Sequence, residues 1–198
     1  MTKEEFKKKW ENYWYHHKFG TWVAIFLVAC VIYTVVEIST RTPKDMVITY
    51  MGTYADYIGI AEEIQKNFND DIKDINSDGK KHIAVTEILT ANNHFEGDMA
   101  FWQRADISFI NGESYLYFVD EGIYHILKNR NCLGKIETKE GKVEFVDVTE
   151  NELFNKYLYG DTKLYLCVRK NVGTNAKKEI KLMEENSRKV LEKILENN

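Results

Sequence analysis

Residues 95–119 read FEGDMAFWQRADISFINGESYLYFV, and two folds are open to them. Phe95, Met99, Trp102, Asp106 and Phe109 recur at helical spacing, so the first part reads as a helix that stops at Asn111-Gly112, a pair suited to a C-cap. The alternative is a hairpin in which ISFI and ESYLYFV flank the same Asn-Gly as a type I′ turn. Asp106 is the only residue that offends the helical stripe, so the helix is the expectation. The choice governs the whole domain. A helix between two strands makes a crossover and a parallel pair, whereas a hairpin makes an antiparallel meander.

Working outward, MVITYM at 46–51 reads as a short buried strand, followed by a turn-like GTYAD. A helix is expected from about Tyr57 to Asn69, with Ile60, Ile64 and Phe68 on one face, and HIAVTEIL at 82–89 reads as a second strand. SYLYFV at 114–119 is the third, and Asp120 is placed to cap a short helix carrying Ile123, Ile126 and Leu127. Strand segments near 134–138 and 142–148 flank a KEGK turn. Thr149-Glu150-Asn151-Glu152 has the form of a capping box ahead of a helix LFNKYLY. TKLYLCVR at 162–169 is a further strand, and Ile180, Met183, Ser187, Val190, Leu191 and Ile194 mark one face of a final helix from Asn175 to Glu196. The fold class is therefore α/β, a mixed, mostly parallel sheet with flanking helices, preceded by one N-terminal transmembrane helix.

That transmembrane helix lies in KFGTWVAIFLVACVIYTVVEIST, residues 18–40. No charge interrupts Phe19 to Val36, and a helix of that length covers ~27 Å, close to a hydrocarbon core. A cleaved signal has a shorter apolar region and a small-x-small site, and Glu37-Ile38-Ser39-Thr40 fits such a site poorly. Leu27-Val28-Ala29-Cys30 resembles the lipobox of bacterial lipoproteins, but acylation there would leave the apolar run 31–36 at the start of the mature chain. An uncleaved anchor is the expectation. Lys3, Lys7, Lys8, Lys9 and Lys18 precede the span, and only Arg41 and Lys44 follow it closely. The positive-inside rule then puts the N-terminus in the cytoplasm and the C-terminal domain outside the cell membrane. Phe6, Trp10, Tyr13, Trp14 and His17 give the leader an interfacial face. The organisation is a leader at 1–18, a span at 19–38, a linker at 39–45 and an extracytoplasmic α/β domain at 46–198.

Of 198 residues, 44% are hydrophobic and 29% charged, which is globular composition, and the net charge is −4. A mildly acidic domain without a basic stripe excludes an electrostatic case for nucleic-acid binding. Cys132 and Cys167, the two cysteines outside the span, have no metal-binding spacing. They read as buried thiols, with a disulfide the alternative in an oxidising space.

The stretch VITYMGTYADYIGIAEEIQKNFND, the strand HIAVTEIL with the helix after it, and SYLYFVD with its short helix together resemble the N-terminal lobe of type 2 extracellular solute-binding proteins. TKLYLCVRKNV and the long final helix look like the segment that closes such a lobe. A basic aromatic leader, one span and a lone lobe are also similar to a group of small anchored proteins of unassigned function in low-GC Gram-positive bacteria. The resemblance is one of layout and covers about residues 46–198. It implies a non-enzymatic binding or interaction module with a membrane-protein partner such as a permease, and a small-molecule or peptide ligand. Family members close two lobes around their solute, and this chain has the length for one.

Ligands of open α/β sheets sit at the carboxyl ends of the strands. Here those ends carry Gly52, Thr53, Tyr54 and Asp56, then Asn92 and Asn93, then Asp120 and Glu121. These are the candidate ligand-binding residues, with ordinary turn chemistry as the alternative. Asp74, Asn76 and Asp78, followed by Gly79, match the D-x-N-x-D-G start of a calcium loop. Position twelve is Val85 rather than the bidentate Glu of an EF-hand, so the expectation is at most a lone calcium site, and otherwise an Asx-rich turn. Neither H-E-x-x-H, G-x-S-x-G, a P-loop nor a Rossmann glycine pattern occurs, so no enzyme is expected. The rival expectation is an accessory subunit of a membrane complex, recognised through its span, with a calcium-stabilised outer domain.

Overall fold

The computed structural model describes residues 2–40, 43–53, 57–90, 97–112, 114–170 and 178–197. The chain forms two compact units, Met1–Thr42 and Pro43–Asn198.

The first unit is one continuous helix, α1 (Lys3–Thr40), about 57 Å long at 1.5 Å per residue. Leader and span therefore share a single helix. Its apolar window has a mean hydropathy of 2.3, and none of that window is buried. Two hydroxyls are satisfied within the helix: that of Thr34 donates to the Cys30 carbonyl at 2.8 Å and that of Thr21 to the His17 carbonyl at 3.0 Å. Trp10 stacks on Trp14, and Tyr13 leans on His17.

The second unit is a five-stranded sheet in the order β2-β1-β3-β7-β6, with a separate β4-β5 hairpin. β1 (Met46–Gly52) pairs in parallel with β2 (Ile83–Leu89) and with β3 (Ser114–Asp120). The remaining ladders, β3 with β7 (Leu164–Val168) and β7 with β6 (Val146–Asp147), are antiparallel. The sheet is mixed, and only its β2-β1-β3 part has the parallel character expected of most of it. The reason lies in residues 149–158. No crossover helix forms there. Thr149 is not a cap, because its hydroxyl accepts the Leu164 N–H at 3.0 Å. Asn151 takes the Leu153 N–H instead, and the segment shrinks to a 3₁₀ turn at Asn155–Tyr157. Without a crossover, β7 must return antiparallel.

The opening question is settled for the helix. α3 (Met99–Asn111) starts where Asp98 accepts the Phe101 N–H at 2.9 Å, and ends at Gly112 with φ 68°. Its inward face is Phe101, Trp102 and Ala105. Met99, read as part of that face, is 75% exposed, and Asp106 pairs outward with Arg130.

Strand alternation divides the interior into two cores. Met46, Ile48, Tyr50, Leu116, Phe118, Leu164 and Leu166 pack with residues of α2 (Tyr57–Phe68) and α5 (Lys178–Glu196). Met51, Tyr117, Val119 and Cys167 pack with α3 and α4 (Glu121–Asn129) on the other side. β4 (Ile136–Thr138) and β5 (Gly141–Val143) form the hairpin expected around KEGK. The cysteines are free thiols, and burial pushes Cys167 up to about 12.

Two polar staples hold the α2/α5 layer. The fully buried Asn186 of α5 accepts the Lys73 N–H at 2.9 Å and donates to the carbonyls of Asp45 and Lys73. Glu63 of α2 accepts from Lys156, Tyr157 and Asn67 at 2.9–3.0 Å. Those bonds, the Lys156 one foremost, pull the Glu63 carboxyl down from 4.5 to about 2. A carboxyl lowered by folding stabilises the native state above its unfolded pKa and ceases to do so as pH falls through the folded one. Acid titration of unfolding is therefore expected to show stability falling between pH 4.5 and 2, with Glu63→Gln flattening that slope. An unchanged slope would remove the role assigned to Glu63.

Candidate functional site

β1 and β3 run in parallel, so their carboxyl ends share one edge, and there the chain buries a carboxylate. Asp120, the last residue of β3, is 6% exposed. Oδ2 accepts the Thr53 N–H at 2.8 Å and the Thr53 hydroxyl at 3.2 Å, and Oδ1 accepts the Tyr50 hydroxyl at 3.2 Å. Asp120 stands at the N-cap position of α4, but its side chain makes no capping bond and turns to β1 instead. That replaces the capping role read from sequence. Desolvation raises the Asp120 carboxyl above the usual carboxylate range, against the pull of the Thr53 and Tyr50 bonds. Burial and the neighbouring Asp120 charge raise the Tyr50 phenol.

Gly52 makes this arrangement fit. A Cβ there would lie 2.3 Å from the Tyr50 hydroxyl and 2.5 Å from Asp120 Oδ1. The Thr90 N–H, just past β2, donates to the Gly52 carbonyl at 3.3 Å, and the Asp98 carboxylate is hydrogen-bonded in turn to Thr90. The start of α3 is thus joined to the same edge.

Of the candidates read from sequence, the structure brings together Gly52, Thr53 and Asp120. Glu121 faces β7 instead, pairing with Lys163 and accepting the Tyr165 hydroxyl, both at 3.0 Å. The Lys163 bond leads in holding its carboxyl down. Tyr54, Asp56, Asn92 and Asn93 lie outside the described residues. Tyr50 and Thr90 were not foreseen. Tyr50 has no local signal beyond its strand, whereas Asp98 is a favoured N-cap residue type directly ahead of the helical run.

The loop after α2 is closed by its own amides. Asp74 accepts the N–H groups of Ser77 and Gly79, Asn76 accepts that of Asp78, and Asp78 accepts that of Lys80, all within 2.7–2.9 Å. The buried Asp45 carboxylate takes the Ile75 and His82 N–H groups from behind. Ser77 and Gly79 supply the positive φ angles of the turn. These bonds are those of Asx turns, the alternative reading of the D-x-N-x-D-G spacing. Among the described residues, no three His, Cys, Asp or Glu side chains gather at metal-binding spacing.

Comparison of the chain with protein-family models, with curated proteins and with solved structures found no match.

Proposed function

We propose that the protein is a single-pass, membrane-anchored binding module. Its N-terminus is cytoplasmic and its α/β domain lies on the outer face of the cell membrane. A small-molecule or peptide ligand is taken at the edge carrying Gly52, Thr53 and Asp120, and no chemistry is done on it. The observation that carries this reading is α1. A helix with an apolar window of mean hydropathy 2.3, none of it buried, belongs to one compact unit, while the α/β domain builds its own cores in the other. Such a helix in water would expose far more contiguous apolar surface than a soluble monomer carries, and hydrocarbon is the solvent that suits it. The lysines ahead of the span support the orientation. A buried carboxylate with a raised pKa at parallel strand ends supports the choice of edge. The likeness in layout to one lobe of a solute-binding protein supports a binding role, with a permease or another membrane protein as partner.

Protease added to intact cells is expected to digest the chain beyond residue 43 and to leave α1. Survival of the domain until lysis would reverse the orientation. The intact mass of the membrane-extracted protein is expected to be that of the uncleaved chain, and a mass beginning at an acylated Cys30 would make it a lipoprotein. Exchanging residues 19–38 for an unrelated apolar helix should preserve co-purification of the partner. Loss of the partner would shift recognition to the span.

A further inference from the structure

α1 carries a strip that membrane anchoring does not use. Phe6, Trp10, Tyr13 and His17 in the leader, then Gly20, Ala24, Leu27, Val31 and Thr34 in the apolar stretch, follow one another at alternating steps of four and three residues. No Lys, Arg, Asp or Glu falls on that strip. The opposite face runs through Glu4, Lys8, Glu11, Tyr15 and Lys18 and then Trp22, Ile25, Ala29 and Ile32. It is mostly charged in the leader and mostly bulky in the span. Alternating four-three steps are the a and d positions of a heptad, the seam along which two helices supercoil. Because α1 runs unbroken from Lys3 to Thr40, leader and span keep one phase and the strip is a single line. A straight helix lets such a line drift by about 20° per heptad, which a left-handed supercoil takes up. In the leader the strip is already a contact row. The Trp10 and Tyr13 rings lie 6.1 Å apart, those of Tyr13 and His17 5.0 Å apart, and the Tyr13 hydroxyl reaches that of Thr21 at 3.4 Å.

Lipid alone does not ask for this pattern. Hydrocarbon accepts an apolar helix on every side, so it imposes neither a seven-residue repeat nor a separation of small from bulky residues. Nor does the bilayer cover the leader of an upright, unbroken helix. Trp10 and Phe6 precede Phe19 by about 14 Å and about 20 Å along the axis at 1.5 Å per residue. A headgroup layer is only about 5–8 Å deep. With the span in place both rings therefore stand beyond it, and in α1 by itself they are 55% and 57% exposed. Whatever covers them has to stand alongside the leader and follow the helix into the membrane. A second copy of the chain does both. It shares orientation and depth, so each strip residue meets its own counterpart at the same height. Gly20 and Ala24 let the two backbones approach within the lipid. Beside the seam, Lys9 of one helix falls next to Trp14 of the other, a cation against an aromatic face.

We propose that α1 pairs with α1 of a second copy as a parallel, left-handed helix dimer, closed along the strip from Phe6 to Thr34. The proposal rests on the membrane-spanning reading of α1 and is independent of the Asp120 edge. The test uses the full chain in isolated membranes and measures disulfide-linked dimer after mild oxidation. Cys30→Ala and Cys132→Ala supply the background, and Cys167 is buried. Tyr13→Cys and Leu27→Cys, on the strip, are expected to cross-link several-fold more than Tyr15→Cys and Ala29→Cys on the opposite face. Ala24→Ile, which fills the close approach without altering the apolar character of the span, is expected to cut the Tyr13→Cys dimer several-fold, and Ala29→Ile to leave it unchanged. The proposal is overturned if the two faces cross-link equally, if no variant yields dimer, if Ala24→Ile has no effect, or if the product has the mass of a different partner. Alkaline carbonate extraction separates this from the reading beneath it. Release of the chain from the membrane overturns the anchor and the dimer together, whereas a chain that stays embedded without the strip pattern overturns the dimer alone.

Discussion

Gly52→Ala is expected to destabilise the α/β domain by about 3 kcal/mol, because overpacking and the loss of a hydrogen bond to a charged group each cost roughly 1–3 kcal/mol. The new methyl would arrive 2.3 Å from the Tyr50 hydroxyl and 2.5 Å from Asp120 Oδ1, distances that no carbon tolerates. Neither neighbour can step aside cheaply. Tyr50 is fully buried in the core shared with α2 and α5, and Asp120 is tied to the Thr53 N–H and hydroxyl. One of the two must break its bond, leaving a buried carboxylate with fewer donors. For a domain of this size Tm should fall by roughly 6–12 °C. Asp120→Ala removes the second obstruction and the charge together, so the double variant should cost clearly less than the sum of the two single changes. Strict additivity in urea unfolding would show that Gly52 and Asp120 do not act as one unit.

Asn186→Ala is expected to cost about 3–4 kcal/mol. It would leave the buried Asp45 carbonyl and the part-buried N–H and carbonyl of Lys73 without their partner, at roughly 1–3 kcal/mol for each group that stays unsatisfied. Those groups belong to the segment entering β1 and to the loop before β2, whereas Asn186 belongs to α5. One side chain therefore joins the last helix to the first turns of the domain. Hydrogen exchange supplies the local readout. The Lys73 amide should lose protection in the variant, while the centre of β3 keeps it apart from the global loss of stability. A change below about 1 kcal/mol would mean that water or a neighbour takes over the three bonds.

Much of the architecture is legible in the residues themselves. α2 follows from Ile60, Ile64 and Phe68, and α5 from Val190, Leu191 and Ile194, because an apolar stripe at helical spacing has only one way to be buried. Asn111-Gly112 suits a turn as well as a cap, and the helical spacing ahead of it favours the cap, which the packing of Phe101, Trp102 and Ala105 bears out. At Asp120 local spacing misleads. Its position before α4 is that of an N-cap, yet Thr53 and Tyr50, brought alongside by the parallel pairing of β1 and β3, offer three donors and win its side chain.

The sequence by itself determined the properties that depend on neighbours along the chain: an apolar helix long enough to span a bilayer, an α/β order of strands and helices, and the glycine that ends α3. Tertiary structure alone decided the antiparallel entry of β7, the burial of Asn186, and the gathering of Gly52, Thr53, Tyr50 and Asp120. The physical reason is range. Periodicity and capping act within a few residues, where spacing along the chain is distance in space. Desolvation and hydrogen bonding at these sites depend on groups far apart in the chain, and only the packed sheet brings them together.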